Sequence, residues 1–368
     1  MVVSDLHLGS RTGVDVLRRE QALAALLPEV FRCDRLVLLG DVIELRQSSV
    51  REALHAAEPV LREIGTALGP ASEAVIVPGN HDHHLAAGWL ARRARDTEPA
   101  PLGLESAVDW EAGEALGRVA SWLEPARVRA AYPGAWLRDD VYAIHGHYGD
   151  RHITVPMFER LGAGAMARIV RDSANGPARA EDYEAVLAPI YAWIHALAQN
   201  RTPGAVRGTD GASSRAWRTL SSGSRKRRNP RRTALKLAFP AAVAALNRGG
   251  LGPLKADISG PELRRAGLLA QAATLARLGV RAPHVIFGHT HRAGPLPGDD
   301  DLFGWRTPEG PALLNAGCWV YERTFLGRDA SNSPYRPGFC AVVDDERPPV
   351  LLNLLDGVVS FQPTPARA

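Results

Sequence analysis

Five short apolar runs in this chain each end in polar residues of the types that bind metal ions. The apolar runs are Val2-Val3, 36–39, 75–77, 141–144 and 285–287. The polar clusters that follow them are Asp5-Leu6-His7, Gly40-Asp41, Gly79-Asn80-His81-Asp82, His145-Gly146 and Gly288-His289-Thr290-His291. Short apolar runs that stop at Gly, Asp, Asn or His indicate buried β-strands. Because ligands in α/β folds gather at the carboxyl ends of strands, we expect these five clusters to meet at one place.

Carboxylate, amide and imidazole groups make up these clusters, and such oxygen and nitrogen donors suit a pair of divalent metal ions. Asp5 and His7 are two residues apart, so in an extended chain their side chains share one face and reach the same ion. Asp41 is predicted to bridge the two ions, because one anionic oxygen between two dications offsets their repulsion. Glu44 fits either a supporting role beside the site or an ordinary carboxylate at a helix start.

The five clusters, in this order, resemble the signature of the calcineurin-like metallophosphoesterase superfamily. That signature reads D-x-H, G-D-x-x-[DE], G-N-H-[DE], H and G-H-x-H, and this chain has DLH, GDVIE, GNHD, HG and GHTH. One block alone is a weak signal, but all five in order are specific. The resemblance implies two divalent metal ions, of manganese, iron or zinc. It assigns one ion to Asp5, His7, Asp41 and His291, and the other to Asp41, Asn80, His145 and His289.

The resemblance also implies a reaction, the hydrolysis of a phosphomonoester or phosphodiester by a hydroxide held between the two ions. His81 is expected to lie beside the ions without binding them, where it contacts a phosphoryl oxygen or protonates the leaving group. Asp82 is expected to hydrogen-bond His81 and fix its orientation. His147 and Asp150 are predicted either to line the substrate cleft or to be ordinary loop residues. Arg292, directly after the last cluster, is a further candidate for substrate binding.

Two alternative functions remain open at this stage. UDP-2,3-diacylglucosamine hydrolases, which cleave the pyrophosphate of a nucleotide-lipid, share the GDxxE and GHTHR patterns that this chain has with Glu44 and Arg292. They have GNRD where this chain has GNHD at His81, so this function ranks second. A metal-free binding scaffold of the same fold ranks third, because the complete set of ligands argues against it.

The length and composition indicate one large domain with an insertion. The chain has 368 residues, of which 45% are hydrophobic and 23% charged, which is typical of a globular protein. We expect an α/β core from residues 1–150 and 281–368, a four-layer sandwich of two mixed β-sheets flanked by helices. Helical patterns at 157–171, 183–199, 234–246 and 261–278 predict an inserted helical cap over 151–280. Because the insertion lies between two strands that carry site residues, it is expected to emerge beside the metals.

A basic loop at 200–232 lies within the predicted cap. Between residues 201 and 235 there are ten basic residues and one acid, whereas the net charge of the whole chain is +4. The densest part contains Arg225, Lys226, Arg227, Arg228, Arg231 and Arg232. This loop is predicted either to bind an anionic partner, such as anionic lipid or nucleic acid, or to be a solvated segment without a partner.

Cysteine usage and hydropathy bear on the compartment. The three cysteines, Cys33, Cys318 and Cys340, lack the spacing of a zinc site or a disulfide framework, which indicates a reducing environment. No apolar run approaches the roughly twenty residues of a membrane span, and no signal peptide is expected before Asp5. The expected location is cytoplasmic, with a peripheral position at the membrane as the open alternative.

Overall fold

The structure is a computed structural model that describes residues 1–156, 158–172, 176–199, 230–257, 259–299, 302–306, 310–327 and 329–357. Most of the predicted basic loop 200–232, including residues 225–228, lies outside the described residues. The side chains of Arg231 and Arg232 lie outside them as well. The predicted partner surface of this loop therefore stays a prediction.

The described strands form one large mixed sheet. They are β1 (Val2–Val3), β2 (Arg35–Leu39), β3 (Glu73–Val77), β4 (Glu105–Ala107), β5 (Arg127–Arg138), β6 (Val141–Ile144), β7 (His284–Phe287), β8 (Ala312–Asn315), β9 (Phe339–Val342) and β10 (Val350–Asn353). Their order across the sheet is β10-β9-β1-β2-β3-β5-β6-β7-β8, and β4 pairs with β5 off this path. The α/β class predicted from the sequence is confirmed.

The long strand β5 joins two parts of this sheet. Residues 127–130 of β5 pair in parallel with residues 73–76 of β3. Further along, β5 pairs antiparallel with β6, where Gly134 lies opposite Ile144. Strands β1, β2, β3, β9 and β10 therefore lie on one side of β5, and β6, β7 and β8 lie on the other.

Alternate side chains of the strands enter two separate apolar clusters. Leu36 and Leu38 of β2 pack in the larger cluster, which also contains the apolar faces of the helices. Val37 and Leu39 enter a smaller cluster, which also contains Ile286 of β7 from the other side of β5. Successive residues of a strand point to opposite faces, so β2 is buried on both sides. This double burial accounts for its nearly continuous apolar sequence.

The strands that precede the polar clusters end close together. At the end of β6, His145 Nδ1 donates to the carbonyl oxygen of Leu39, at the end of β2, over 2.9 Å. The amide of Asp5 donates to the carbonyl of Gly40 at 3.1 Å, and the amide of Gly288 donates to the carbonyl of His145 at 2.9 Å. The carboxyl ends of β1, β2, β6 and β7 thus meet, and they bring four of the five sequence clusters to one edge.

Helices cover the sheet and make up most of the described residues between β6 and β7. They are α1 (Glu20–Phe31), α2 (Val50–Leu68), α3 (Ala87–Arg95), α4 (Ala115–Trp122), α5 (Phe158–Ile169), α6 (Ala180–Gln199), α7 (Pro230–Arg248) and α8 (Gly260–Leu278), with two short helices at Leu302–Trp305 and Arg323–Leu326. Helices α5 to α8 fall within residues 151–280, where the sequence predicts the inserted cap. No described helix is long and apolar enough to cross a membrane.

Helix α6 is bonded to the strand core through one carboxylate. Glu184 Oε1 accepts hydrogen bonds from the hydroxyls of Tyr132, at 2.5 Å, and Tyr148, at 2.7 Å. Glu184 Oε2 lies 2.9 Å from His83 Nε2. Both tyrosines are fully buried. Because a buried carboxylate with several donors is costly to pull apart, α6 is fixed against the core at this point.

Candidate metal centre

The predicted metal ligands meet in two groups of mostly buried side chains. Within each group the ligand atoms lie within 4.8 Å of one another. The first group is Asp5, His7 and His291, and the second is Asp41, His145 and His289. This division matches the two ions that the sequence resemblance implies.

Asp41 lies between the two groups. Its Oδ2 atom is 3.7 Å from His7 Nε2 in the first group and 3.3 Å from His145 Nε2 in the second. Its other oxygen, Oδ1, accepts a hydrogen bond from the backbone amide of His81 at 2.7 Å. One carboxylate oxygen therefore faces both groups, which is the geometry that a bridging ligand needs.

Three of the histidines are held in the tautomer that a metal ligand needs. Their outward nitrogens lie against oxygen acceptors: His7 Nδ1 is 3.0 Å from Glu44 Oε2, His145 Nδ1 is 2.9 Å from the Leu39 carbonyl oxygen, and His289 Nε2 is 2.8 Å from Asp150 Oδ1. A carbonyl or carboxylate oxygen cannot donate, so each outward nitrogen carries a proton. When the rings are neutral, as binding a metal ion requires, the inward nitrogens are unprotonated and point among the carboxylates of the cluster.

The amide of Asn80 faces both the second group and a buried arginine. One amide atom lies 3.2 Å from His145 Nε2, 3.1 Å from His289 Nδ1 and 3.2 Å from Asp41 Oδ2, and the other lies 2.9 Å from Arg46 Nη1. An inward NH2 group can use its two hydrogens on two of these three atoms and leaves the oxygen for Arg46, whereas an inward oxygen suits a metal ion held by the same atoms. A ligand role for Asn80 therefore requires the inward oxygen and a shift of the Arg46 guanidinium.

Asp5 presents an oxygen that the protein itself leaves without a hydrogen bond. Its Oδ2 atom accepts from the Ser4 hydroxyl at 2.5 Å and from the backbone amide of His289 at 3.0 Å. Its Oδ1 atom is buried without a hydrogen-bond partner and lies 3.3 Å from His291 Nε2. Burying a carboxylate oxygen in this way is costly unless a cation lies against it. The donor set of the first group thus fits a metal ion.

The backbone is strained at the predicted ligands. In the described part of the chain, six residues other than glycine have a positive φ, and five of them are predicted ligands. These five are Asp5 at 56°, His7 at 47°, Asp41 at 52°, His289 at 66° and His291 at 59°. A side chain in this region costs roughly 1–2 kcal/mol per residue. Strain of this kind gathers at functional sites, where the surrounding structure holds it in place.

The motif glycines make room for the ligands. A β-carbon on Gly79 would come within 2.4 Å of Asp41 Oδ1 and 2.6 Å of its backbone nitrogen. A β-carbon on Gly288 would come within 1.9 Å of the Ser4 hydroxyl oxygen and 2.4 Å of Asp5 Oδ2. Contacts this short do not occur in folded proteins, so only glycine lets the carboxylates approach. Packing against the predicted ligands therefore requires glycine at the first position of the GNHD and GHTH blocks.

The electrostatic field of the cluster favours cations. Burial lowers the pKa of His7, but the bond to Glu44 and the charge of Asp41 outweigh it and raise that pKa to about 9. Burial also opposes the proton on His145, but Asp41 and Asp5 raise its pKa to about 10. The pKa of Asp41 is held well below its usual value, because the charge of His145 outweighs burial. Divalent metal ions would compete with protons for these inward nitrogens.

His81 pairs with Glu44, which corrects the prediction that Asp82 orients it. His81 Nδ1 lies 2.8 Å from Glu44 Oε2, the same oxygen that lies 3.0 Å from His7 Nδ1. Burial would raise the pKa of Glu44, but the charge of His81 and the bonds from both histidines lower it below its usual value. Glu44 is therefore ionised and orients two imidazoles at once. Of the two roles that the sequence left open for Glu44, the geometry favours the supporting role.

The carboxylate of Asp82 binds backbone amides and not His81. Its carboxylate accepts hydrogen bonds from the amides of Gly79 at 2.7 Å, Val42 at 2.7 Å, Asp41 at 3.2 Å and Ile43 at 3.3 Å. These amides belong to the turns after β2 and β3, which carry the ligands. Burial and the charge of Asp41 raise the pKa of Asp82 to about 6. Asp82 thus fixes the two turns to each other and acts on the site through the backbone.

The three predicted substrate residues lie in different surroundings. Asp150 contacts the ring of His289, as described above, and its Oδ2 atom is buried without a hydrogen-bond partner. His147 is fully buried, with Nε2 3.2 Å from the Tyr132 hydroxyl. Arg292 is paired with Asp299, and its guanidinium stacks over the ring of Trp305 at 5.4 Å. The structure thus brings Asp150 to His289, a predicted metal ligand, whereas Arg292 is engaged with the loop that follows β7.

Comparison with known proteins adds no assignment. No family model matches the chain, and no curated protein matches its sequence. The site must therefore be interpreted from its own geometry.

Sequence reasoning missed two polar residues near the site. Tyr191 of α6 is buried, its hydroxyl has no hydrogen-bond partner, and its ring centroid lies 5.7 Å from that of His147. Gln271 of α8 is also buried, and its Nε2 atom has no hydrogen-bond partner. In the sequence Tyr191 lies among the apolar residues of a helix, where a core tyrosine is the ordinary interpretation. No sequence signal distinguishes it from one.

Proposed function

We propose that this chain is a dinuclear metal-dependent phosphoesterase of the calcineurin-like type, active on a phosphomonoester or a phosphodiester. The observation that carries this proposal is the common orientation of His7, His145 and His289. Each has its outward nitrogen against an oxygen acceptor and its inward nitrogen among the carboxylates of the cluster. Without metal the inward nitrogens can pair with the carboxylates as protonated imidazoles, but their convergence on one small set of carboxylates also suits divalent ions shared between them.

The packing of the strands supports the finer fold that goes with this function. The smaller apolar cluster contains Val37 and Val75 from one side of β5 together with Ala143 and Ile286 from the other. The two parts of the sheet thus face each other across that cluster, and the helices pack in the larger one. We infer a sandwich of two mixed β-sheets between layers of helices, joined through β5.

Two divalent ions fit the donor set. One would be held by Asp5, His7, Asp41 and His291, and the other by Asp41, Asn80, His145 and His289. Manganese, iron and zinc all accept such oxygen and nitrogen donors. When bound, the ions would supply Lewis acidity toward the phosphoryl group and a nucleophile from water at neutral pH.

The residues of the chain supply orientation and a proton. Glu44 accepts the Nδ1 proton of His81, which leaves His81 Nε2 to contact a phosphoryl oxygen or to protonate the leaving group. The His81 side chain keeps 16% of its surface exposed, whereas that of Glu44 keeps 1%. A substrate can therefore reach the imidazole of His81, while the carboxylate of Glu44 behind it stays buried away from solvent. Asp150 orients His289 in the same way that Glu44 orients His7.

The experiment that tests this function is metal analysis followed by an activity screen. The purified protein is expected to contain up to two equivalents of manganese, iron or zinc. It should hydrolyse p-nitrophenyl phosphate or bis-p-nitrophenyl phosphate, lose that activity with a chelator and regain it when metal is returned. His55→Gln, at an exposed histidine of α2, is the matched control and should behave as the wild type. A protein that binds no metal, or that binds metal without hydrolysing either ester, would favour the scaffold function.

A further inference from the structure

A group of buried arginines lies in the cap, apart from the proposed metal ligands. Arg151 and Arg277 share one carboxylate, with Arg151 Nε 2.9 Å from Asp172 Oδ2 and Arg277 Nη2 3.5 Å from Asp172 Oδ1. Arg160 of α5 lies near Arg151. Its Nε atom donates to the carbonyl of Ile153, two residues after Arg151, at 2.8 Å. Asp172 thus pairs with Arg151 and Arg277, whereas the described part of the chain shows no ion pair between Arg160 and an acid.

Arg160 is the member of this group whose charge is least compensated. Its side chain is 1% exposed, and its Nη1 atom is buried without a hydrogen-bond partner. The charged neighbour that acts on Arg160 is Arg151, and burial together with this repulsion lowers the pKa of Arg160 to about 10. The guanidinium is therefore still charged at neutral pH. A buried cation with an unused donor, next to a second cation, indicates that an anion completes the site.

The histidine in the middle of this group does not supply that anion or add a charge. His152 Nε2 lies 2.8 Å from the Tyr183 hydroxyl and 3.5 Å from Arg277 Nη1. Burial and the three arginines lower the pKa of His152 to about 3, so its ring is neutral at physiological pH. The positive charge of this group thus comes from the guanidinium groups, whose forked donors match the oxygens of a phosphate.

We propose that Arg160 and Arg151 form a binding site for a phosphate-class oxyanion in the cap. The site lies close to the proposed metal centre, because Arg151 follows Asp150, whose Oδ1 atom is 2.8 Å from His289 Nε2. The same chemistry fits a free phosphate ion and the second phosphate of a substrate held at the metal ions. Only the latter source rests on the proposed function.

Titration of the metal-free protein with inorganic phosphate tests the site without the metal centre. The protein is stripped with a chelator, dialysed, and titrated by calorimetry at low ionic strength. Arg160→Leu should raise the Kd about 10- to 100-fold, the loss expected when hydrogen bonds to a charged group are removed. Arg168→Leu is the matched control, because Arg168 lies on the same helix and bonds the carbonyl of Gly249 at the surface. It should keep the wild-type Kd.

A second variant covers the case in which Arg160→Leu does not fold. A β-carbon on Gly164 would lie 3.0 Å from Arg160 Nη1 and 3.2 Å from the carbonyl oxygen of Leu251. Gly164→Ala should therefore displace the guanidinium and weaken phosphate binding while the charge is kept. No phosphate binding by the wild type, or unchanged binding by whichever of the two variants folds, would overturn the proposal.

The source of the phosphate is decided with the metal-loaded enzyme. If the site holds the second phosphate of a substrate, Arg160→Leu should raise the KM of fructose 1,6-bisphosphate several-fold more than that of fructose 6-phosphate. Equal changes in the two KM values, with phosphate binding to the metal-free protein still lost in Arg160→Leu, would assign the site to free phosphate. Failure of the metal-loaded enzyme to hydrolyse any ester would count against the proposed function. It would not affect the phosphate site, which calorimetry tests on the metal-free protein.

Discussion

Replacing Glu44 with glutamine should disable the site without changing its volume. Glu44 Oε2 lies 3.0 Å from His7 Nδ1 and 2.8 Å from His81 Nδ1, and Oε1 accepts from the backbone amide of Arg46 at 2.9 Å. The amide of glutamine offers one acceptor oxygen where the carboxylate offers two. If that oxygen stays on the Arg46 amide, the NH2 group faces both histidines and requires Nδ1 of each to be an acceptor.

That exchange reverses the tautomer of His7. Its remaining proton moves to Nε2, the atom that lies 3.7 Å from Asp41 Oδ2 and 3.9 Å from Asp5 Oδ1, and a protonated nitrogen cannot bind a metal ion. Loss of such an orienting partner typically lowers metal affinity about 10- to 100-fold. With His81 in the wrong tautomer as well, kcat should fall by a further factor of about 10²–10⁴ even at saturating metal.

The matched comparison is Asp82→Asn, because Asp82 is equally buried and next to His81 in the sequence. Its carboxylate accepts four backbone hydrogen bonds, and an NH2 group in place of one oxygen would face donors. Asp82→Asn should therefore lower the free energy of unfolding by about 2–4 kcal/mol. Its kcat at saturating metal should fall much less than that of Glu44→Gln. Metal titrations, kcat at saturating metal and chemical unfolding of both variants would decide, and a larger loss of kcat in Asp82→Asn would refute the pairing of His81 with Glu44.

Three further predictions concern the bridge, a motif glycine and the effect of pH. Asp41→Ala should remove both metal ions and nearly all hydrolysis while circular dichroism stays unchanged; one tightly retained equivalent of metal with near-normal turnover would remove Asp41 from the bridge. Gly79→Ala should destabilise the fold by about 1–3 kcal/mol because Asp41 must move, whereas Gly113→Ala, with open space around it, should not; equal unfolding midpoints would contradict this. His84 is an exposed residue, but its partial burial and the charge of His195, whose ring stacks on it at 4.0 Å, lower its pKa from 6.5 to about 4, so this contact should lose stability as pH falls from about 6.5 toward 4. The melting temperature of metal-free His195→Phe should accordingly fall less than that of the metal-free wild type between pH 7 and pH 5, and an equal fall would speak against the contact.

The strand ends were predictable because their signals are local. A run such as Leu36 to Leu39 followed by Gly40-Asp41 is apolar on both faces and then stops, so the strand and its end are both visible in the sequence. The helices between residues 151 and 280 were predictable for the same reason, because the spacing of their apolar residues is also a local signal. Pro189 lies inside one of them, yet α6 is continuous from Ala180 to Gln199, because packing of its buried face overrides the lost hydrogen bond.

Side-chain pairings across the site were not predictable in the same way. Asp82 is adjacent to His81 in the sequence, so it was the natural candidate to orient that ring. In the fold the carboxylate of Asp82 turns toward backbone amides, and Glu44, 37 residues away, reaches the imidazole instead. Which acid meets which histidine depends on how β2 and β3 lie side by side, and no local pattern encodes that.

The attachment of α6 changes what the cap can do. By its position in the sequence, an insertion between two site-bearing strands is expected to act as a lid. Glu184 joins α6 to Tyr132 and Tyr148 of the core, and Arg46, whose Nη1 atom lies 2.9 Å from the Asn80 amide, reaches Glu159 of α5 at 3.1 Å. Movement of α6 away from the core would have to break the hydrogen bonds of Glu184 to Tyr132 and Tyr148. The contacts of Arg46, by contrast, can rearrange when Asn80 turns its oxygen inward. Any movement coupled to metal binding is therefore expected at α5 and its arginines, with α6 as the fixed wall of the cleft.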